Sequence, residues 1–460
     1  MEELQLNKEA DLGGEAINPI PYSKRTVNPA TLSAIWFGMA VQLAIFMASG
    51  LMYPSLSVKN IFIALVLANT LVTAIIFFTQ DIGIKYGIPF TVSTRASFGY
   101  LGTHLPAVLR AVPAVFWFGF QTWIGSMALD ELSKLIFGWS NLTFYIIFFG
   151  VLQILTTFYG IKFISLLNWI GSPVLLLIGI YIIFLLLKAN NVSLSQVMSM
   201  GGEGGGISLP LAVMALLGGW ATLAVSIQDI VRNCHYSEKD AQSTYLKANG
   251  KWFAAQWIGC VPAGVLFGTI GAMSMALTGE WNPVAVIANL PVPKTAIIVA
   301  QFFVFLATWT TNPAANLLNP SYTLCNLLNG KIDYFKSVIV VGSLGLIAQP
   351  WKVSGNLLNI MGFISAALAP VAGILICDYF VLRNRNLNIN ALYNSHAYYK
   401  YANGINPAAI IAYIIGVICS IPFWNYVYIV GIVTGFISYY ILMKFWIVKS
   451  YHQPDITGSK

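Results

Sequence analysis

The run AVFWFGFQTWIG at residues 114–125 sets Trp117 and Gln121 four residues apart within an uncharged, membrane-length stretch. Residues at i and i+4 share one helix face, so a flat π surface and a primary amide point the same way. The pair suits a small planar molecule with alternating N–H and C=O groups, which stacks on the indole and hydrogen-bonds the amide. A buried amide left unpaired in hydrocarbon costs on the order of several kcal/mol. Gln121 therefore requires a partner, either a ligand or another helix for which it serves as interhelical glue.

Two other stretches carry polar or conformationally free residues at matching places. The first apolar stretch reads Trp36-Phe37-Gly38-Met39-Ala40-Val41-Gln42, and the sixth reads Leu217-Gly218-Gly219-Trp220-Ala221-Thr222. Glycine leaves helical dihedrals most readily, so both spans are expected to break there. Matching interruptions five spans apart point to an inverted-repeat transporter whose broken helices offer free N–H and C=O groups to a ligand. The alternative for Gly218-Gly219 is close helix packing through small residues. The eighth stretch, Ala307 to Asn316, adds adjacent hydroxyls on Thr310 and Thr311, carbonyls freed by Pro313, and amides on Asn312 and Asn316. Hard cations take oxygen ligands, and the hydration argument behind that rule extends to sodium. Each threonine also has a purely local option, a bond to its own helix carbonyl.

The elements that hold these residues are set by composition. Of 460 residues, 57% are hydrophobic and 9% charged, too apolar for a soluble fold and consistent with a polytopic membrane protein. With about 20 residues per span, the low-charge runs parse into twelve, near 29–53, 60–79, 104–129, 142–161, 165–188, 207–230, 252–277, 295–326, 335–351, 356–381, 408–422 and 426–448. The acidic stretch at the N-terminus has no basic region leading into a short apolar core, so no signal peptide is expected. Lys59, Lys134, Lys188, Lys294 and Lys352 fall on one face, and the other nineteen of the 24 basic residues at the termini or on the opposite face. By the positive-inside rule both termini are cytoplasmic, in the cell membrane. The same asymmetry accounts for the net charge of +8 without a nucleic-acid partner.

Other classes fit poorly. The five cysteines form no CxxC pair or His/Cys cluster, and the chain contains no GxSxG, HExxH or P-loop, so an enzyme is not expected. A channel would show a charge ring or carbonyl filter repeated by symmetry. Asp130, Asp229 and Asp378 fall at span ends, and the absence of a central titratable residue favours a cation held by neutral oxygens over a proton relay. An amino-acid carrier would need a site for α-carboxylate and ammonium, which tryptophans and neutral amides do not supply.

Across GMAVQ at 38–42, GIPFTVSTRASFG at 87–99, the FWFGFQTW run, GGWATL, TTNPAAN, APVAGILICDYF at 369–380 and NGINPAAI at 403–410, the chain resembles nucleobase:cation symporter family 1. Members of that family carry hydantoins, uracil, cytosine, allantoin and purines, and the resemblance runs from about Pro21 to Trp446. It implies an all-α fold like that of the leucine transporter, with two inverted five-helix repeats, broken helices 1 and 6, and two added C-terminal spans. The implied divisions are a cytoplasmic tail at 1–28, a first repeat at 29–188, spans six to nine at 207–351, span ten at 356–381, spans eleven and twelve at 408–448, and a tail at 449–460. By similarity, Trp117 and Trp220 sandwich the ring, Gln121 and Asn316 bind its amide edges, and Gln42 with the Gly219 backbone completes the pocket. The sodium site maps to the carbonyls of Gly38, Val41 and Ala307 and the hydroxyls of Thr310 and Thr311. Sodium is then the coupling ion, with a proton as the alternative. The expected partners are a small heterocyclic substrate and the lipid bilayer, with no cofactor and no obligate protein partner. Two departures bear on the site: Thr310 stands where a hydantoin-carrying member has serine, and Pro313 bends span eight beside Asn316.

Overall fold

The computed structural model describes residues 17–328 and 331–457. Of the tails expected at 1–28 and 449–460, residues 1–16 and 458–460 lie outside it. The described residues form helices joined by short turns, with two isolated β-bridges. In a bilayer this is one of two ways a chain can satisfy its own backbone hydrogen bonds.

Helix α1 (Pro29–Ala40) starts where the Asn28 side chain accepts the Thr31 N–H at 2.8 Å and Pro29 fills the first position. Helix α2 (Leu43–Met52) continues it after a bend of 49°. There follow α3 (Val58–Thr79), α4 (His104–Phe137), α5 (Leu142–Thr157), α6 (Gly160–Ala189), α7 (Leu209–Ser226) and α8 (Tyr245–Thr278). Helix α9 (Lys294–Asn312) runs through a π-helical turn, Pro313–Leu317, into α10 (Leu318–Leu327). The chain ends with α11 (Tyr334–Ile347), α12 (Leu357–Ile376), α13 (Pro407–Ser420) and α14 (Val427–Leu442).

Among the described residues, seven helical runs are long and apolar enough to cross a membrane, eight with the bent α1–α2 pair. The run Pro407–Ser450 is interrupted at Phe423 and yields α13 and α14, which pack on each other. With the shorter apolar helices Leu142–Thr157, Pro173–Ala189 and Tyr334–Ile347, the twelve expected segments are all present among the described residues.

The helices sort into two groups by contact. Helices α1, α2 and α3 pack around α8 and α7 packs on α3, whereas α4 gathers α5, α9, α10 and α11. Close approach inside the first group depends on Gly259, where a Cβ would strike the Ser33 carbonyl on α1. Outside both groups, α12 lies on α7 and carries α14.

The break in the first span comes at Val41 (φ −75°, ψ 60°) and Gln42 (φ −102°, ψ 129°), with Gly38 still helical. The sixth span departs from expectation. Helix α7 is continuous through Gly218-Gly219, and its ladder is interrupted only at Ile227, before a short helix Gln228–Val231. Gly218 is needed for packing instead: a Cβ there would meet the Met361 carbonyl and the Ser365 Oγ of α12. Ser365 Oγ in turn donates to the Met214 carbonyl at 2.9 Å, fixing the same contact.

The loop motif at 87–99 is held by the segment around 403–410. Asn406 donates from its backbone to Phe98 O (2.7 Å) and from its amide to Ser97 O (2.6 Å), and Leu101 N–H reaches Gly404 O at 2.7 Å. Arg383, fully buried, pairs with Asp378 at 2.9 Å and donates to Ala96 O at 3.2 Å. Asp455, from the C-terminal segment, joins this cluster at 3.3 Å from Arg383.

Gly218→Ala is expected to force α12 off α7, with an overpacking cost of about 1–3 kcal/mol. A lower thermal unfolding midpoint in detergent reports it, and an unchanged midpoint would show that the contact yields freely.

Candidate functional site

The break between α1 and α2 takes the last carbonyls of α1 out of the helical ladder. One of them, Gly38 O, is met across the group boundary by Thr311 Oγ1 at 2.6 Å, and the same hydroxyl lies 2.8 Å from Ala307 O. Thr310 Oγ1 sits 2.9 Å from Ala307 O as well. A hydroxyl has one proton, so Thr311 can donate to only one of its two carbonyl neighbours at a time. Four oxygens from α1 and α9 thus converge, two hydroxyls and two carbonyls, the oxygen chemistry that hard cations use. Val41 and Ala307 also share the wall of an apolar cavity of about 20 Å³.

Beside this cluster the aromatic residues are held separately. Trp220 donates its indole N–H to Asn69 Oδ1 at 3.0 Å and packs on Trp36, with ring centres 5.6 Å apart and planes at 50°. Trp36 is anchored by a 3.1 Å bond to Gln256. Trp117, on α4, is buried with edge-on contacts to Phe116 and Phe120, and its indole N–H has no acceptor among the described residues. The two indoles sit on α4 and α7, helices that touch, and each is fixed by its own neighbours rather than by the other. Next to Trp220, Gly219 is half-buried and lies under the terminal methyl of Met361.

The amides divide into tied and free. Asn312 donates to Phe118 O at 2.9 Å and lies 3.2 Å from Thr122 Oγ1, which joins the π turn to the part of α4 that carries Trp117 and Gln121. Asn316 donates to Asn312 Oδ1 at 2.9 Å, so the bend at Pro313 leaves it linked to α4 through one intermediate residue. Gln121 and Gln42 are buried, and among the described residues neither side chain hydrogen-bonds a protein group. The arrangement therefore presents two uncommitted amides, an unpartnered indole N–H and a second indole plane: donors, acceptors and stacking surface, with no nucleophile and base in contact.

Sequence reasoning missed two supporting residues. Asn69, which sets the Trp220 indole, sits in the otherwise apolar α3, and its polarity alone was the signal. Arg110 is fully buried seven residues before Trp117, on the same face of α4.

A family model described as permease for cytosine/purines, uracil, thiamine and allantoin matches residues 19–447. The chain belongs to this family. The permease is 42% identical over 437 residues to a hydantoin permease from Microbacterium maritypicum, a match covering 94% of this chain and 89% of that one. It superposes with a TM-score of 0.92 and 41% identity on Mhp1, a nucleobase-cation-symport-1 family transporter solved in a closed conformation with bromovinylhydantoin bound, over 96% of this chain and 97% of that one. The inward-facing conformation of Mhp1 gives 0.88 at 40% identity, over 99% and 97% of the two chains. The permease is accordingly a multi-pass membrane transporter and not an enzyme.

Trp117→Ala is expected to weaken binding of a planar heterocycle by about 1–3 kcal/mol, the range for stacking a base on an aromatic ring, without unfolding the permease. Titration of tryptophan fluorescence in detergent measures this. Unchanged affinity for every wild-type ligand would assign Trp117 to packing alone.

Proposed function

We propose that the permease imports a small, planar, amide-bearing heterocycle, a nucleobase, allantoin or a hydantoin, together with sodium, by alternating access. The observation that carries the reading is the pairing of uncommitted amides and indoles with an oxygen cluster that spans the two helix groups. Trp117 and Trp220 supply the stacking faces, and Gln121, Asn316, Gln42 and the Gly219 backbone supply the hydrogen-bonding edges. The carbonyls of Gly38, Val41 and Ala307 and the hydroxyls of Thr310 and Thr311 supply the sodium ligands. The extra methyl of Thr310 leaves its oxygen beside Ala307 O, which supports the assignment. Both termini are cytoplasmic in this reading, in keeping with the distribution of basic residues.

The coupling has a physical route. Gly38 belongs to the α1 group and Thr311 to the α4 group, so an ion that binds both oxygens favours the arrangement in which the two groups meet. A substrate held between Trp220 on α7 and Trp117 on α4 favours the same arrangement. Two ligands that stabilise one state raise each other's affinity by the same factor.

Sodium is expected to tighten heterocycle binding by about 5- to 150-fold, the usual span of such coupling, and potassium at equal ionic strength to have no such effect. Thr311→Ala should abolish the enhancement and leave weak sodium-free binding. Uptake driven by a pH gradient alone, with binding indifferent to sodium, would replace sodium by a proton.

Selectivity follows from the amides. Gln121→Leu and Asn316→Leu are expected to change the ranking of ring analogues more than overall affinity, because a site built to bond a group rejects analogues that lack it. A panel of hydantoin, uracil, cytosine and allantoin tests this, and equal losses for all four would make the amides helix glue.

A further inference from the structure

The faces that form the site continue toward the loop at 87–99 as polar stripes on three helices. On α4, Arg110 precedes Trp117 by seven residues and Gln121 by eleven, so all three share a face. On the sixth span, Gly219, Thr222 and Ser226 keep the same helical spacing, and Asp229 follows beyond the interruption at Ile227. On the eighth, Asn312, Asn316, Asn319 and Thr323 do likewise, and these polar side chains are buried. Buried polar residues on membrane helices either bridge neighbouring helices or line a polar path.

Arg110 sits where the stripes meet. Its Nε donates to Ser226 Oγ at 2.7 Å and its Nη2 to Ala315 O at 3.0 Å. Ser226 lies one turn before Asp229, and Ala315 one turn before Asn319. The Asp229 carboxylate accepts the Phe90 N–H at 2.8 Å on one oxygen and the Asn319 amide on the other. The guanidinium thus bonds both helical segments that lead to the Asp229–Asn319 pair. Two complementary atoms in this layer are buried without a partner among the described residues, the Arg110 Nη1 donor and the Asn319 Oδ1 acceptor. Because Asn319 commits its NH₂ to Asp229, its carbonyl oxygen is the end left over.

We propose that this layer is a second, inner subsite for the transported heterocycle, in which a ring C=O accepts from Arg110 Nη1 and an adjacent ring N–H donates to Asn319 Oδ1. The inference rests on the heterocycle reading above and adds a station to it. Asp229 offsets the guanidinium charge within the same layer, so the subsite suits a neutral cyclic amide rather than a free anion or cation. A ligand leaving Gln121 and Asn316 exchanges one set of amide partners for another instead of crossing a bare apolar seal. The planar fork of arginine is required, since an ammonium lacks its fixed donor geometry.

The test uses the full chain in proteoliposomes with hydantoin and uracil as probes, reading affinity by tryptophan fluorescence and transport by counterflow. For Arg110→Gln and for Asn319→Ser, affinity is expected to stay within about twofold while the maximal counterflow rate falls about tenfold or more with KM unchanged, the signature of an interaction made after binding. Arg110→Lys should resemble Arg110→Gln, and full rescue by lysine would overturn the subsite in favour of simple charge balance with Asp229. Unchanged or faster counterflow would overturn it as well, and so would affinity falling in step with rate. Where Arg110→Gln does not fold, Asn319→Ser carries the test. Failure of the heterocycle reading itself looks different: the wild type would then show neither quenching nor counterflow with either probe.

Discussion

A backbone carbonyl without a hydrogen-bond donor is costly inside a bilayer, and the interruption at Val41 and Gln42 creates several of them within the first span. The rest of the site follows from that constraint. A donor has to come from another helix, and Thr311 supplies it to Gly38 O while remaining within bonding distance of Ala307 O. The contact joins the helix group around α8 to the group around α4 with few atoms. It also leaves an excess of oxygen lone pairs over protons at the junction. The hydroxyl that repairs the broken helix is the one that ties α1 to α9.

The aromatic platform next to this junction is held by a chain of buried polar side chains. From Trp220, packed on Trp36, the path runs through Gln256 to Gln80, on to Asn249 at 3.4 Å, and then to Asp81 at 2.7 Å. Asp81, fully buried, is closed off by Tyr379 at 2.7 Å and Arg385 at 2.9 Å. A buried ion pair adds little net stability, yet removing one partner strands the other charge. Its effect is to fix register among α3, α8 and the end of the tenth span. By contrast, the second platform, Trp117, packs edge-on against Phe116 and Phe120, and its N–H is uncommitted among the described residues. One indole is fixed in place and the other has a donor to offer.

Several motifs that mark the family lie away from the site, and their contacts explain them. The 87–99 loop and the segment at 403–410 clasp each other through backbone carbonyls and the Asn406 amide, and the acidic end of the APVAGILICDYF run holds Arg383 beneath them. The same loop sends the Phe90 N–H to Asp229, at the end of the sixth span. Loop backbone in a buried position must find partners for its own polar groups, and here those partners come from segments hundreds of residues away.

The sequence alone determined the membrane class, the twelve segments, the helix face shared by Trp117 and Gln121, and the oxygen-rich character of Thr310 and Thr311. Each is a local property, set by apolar run length, by the 3.6-residue period, or by adjacent side-chain chemistry. Tertiary structure decided what each polar group is bonded to. Gly218-Gly219 read as a break because glycine permits one, but the close approach of α12 uses the missing Cβ instead and α7 stays helical. The break expected near Gly38 falls at Val41 and Gln42, and the Gly38 carbonyl it frees is met from α9. The polarity of Asn69 and Arg110 did not reveal their roles, which consist in contacts with Trp220, Ser226 and Ala315 on other helices. Periodicity in a sequence fixes which way a side chain faces along its own helix, and only the packing of helices fixes which donor meets which acceptor.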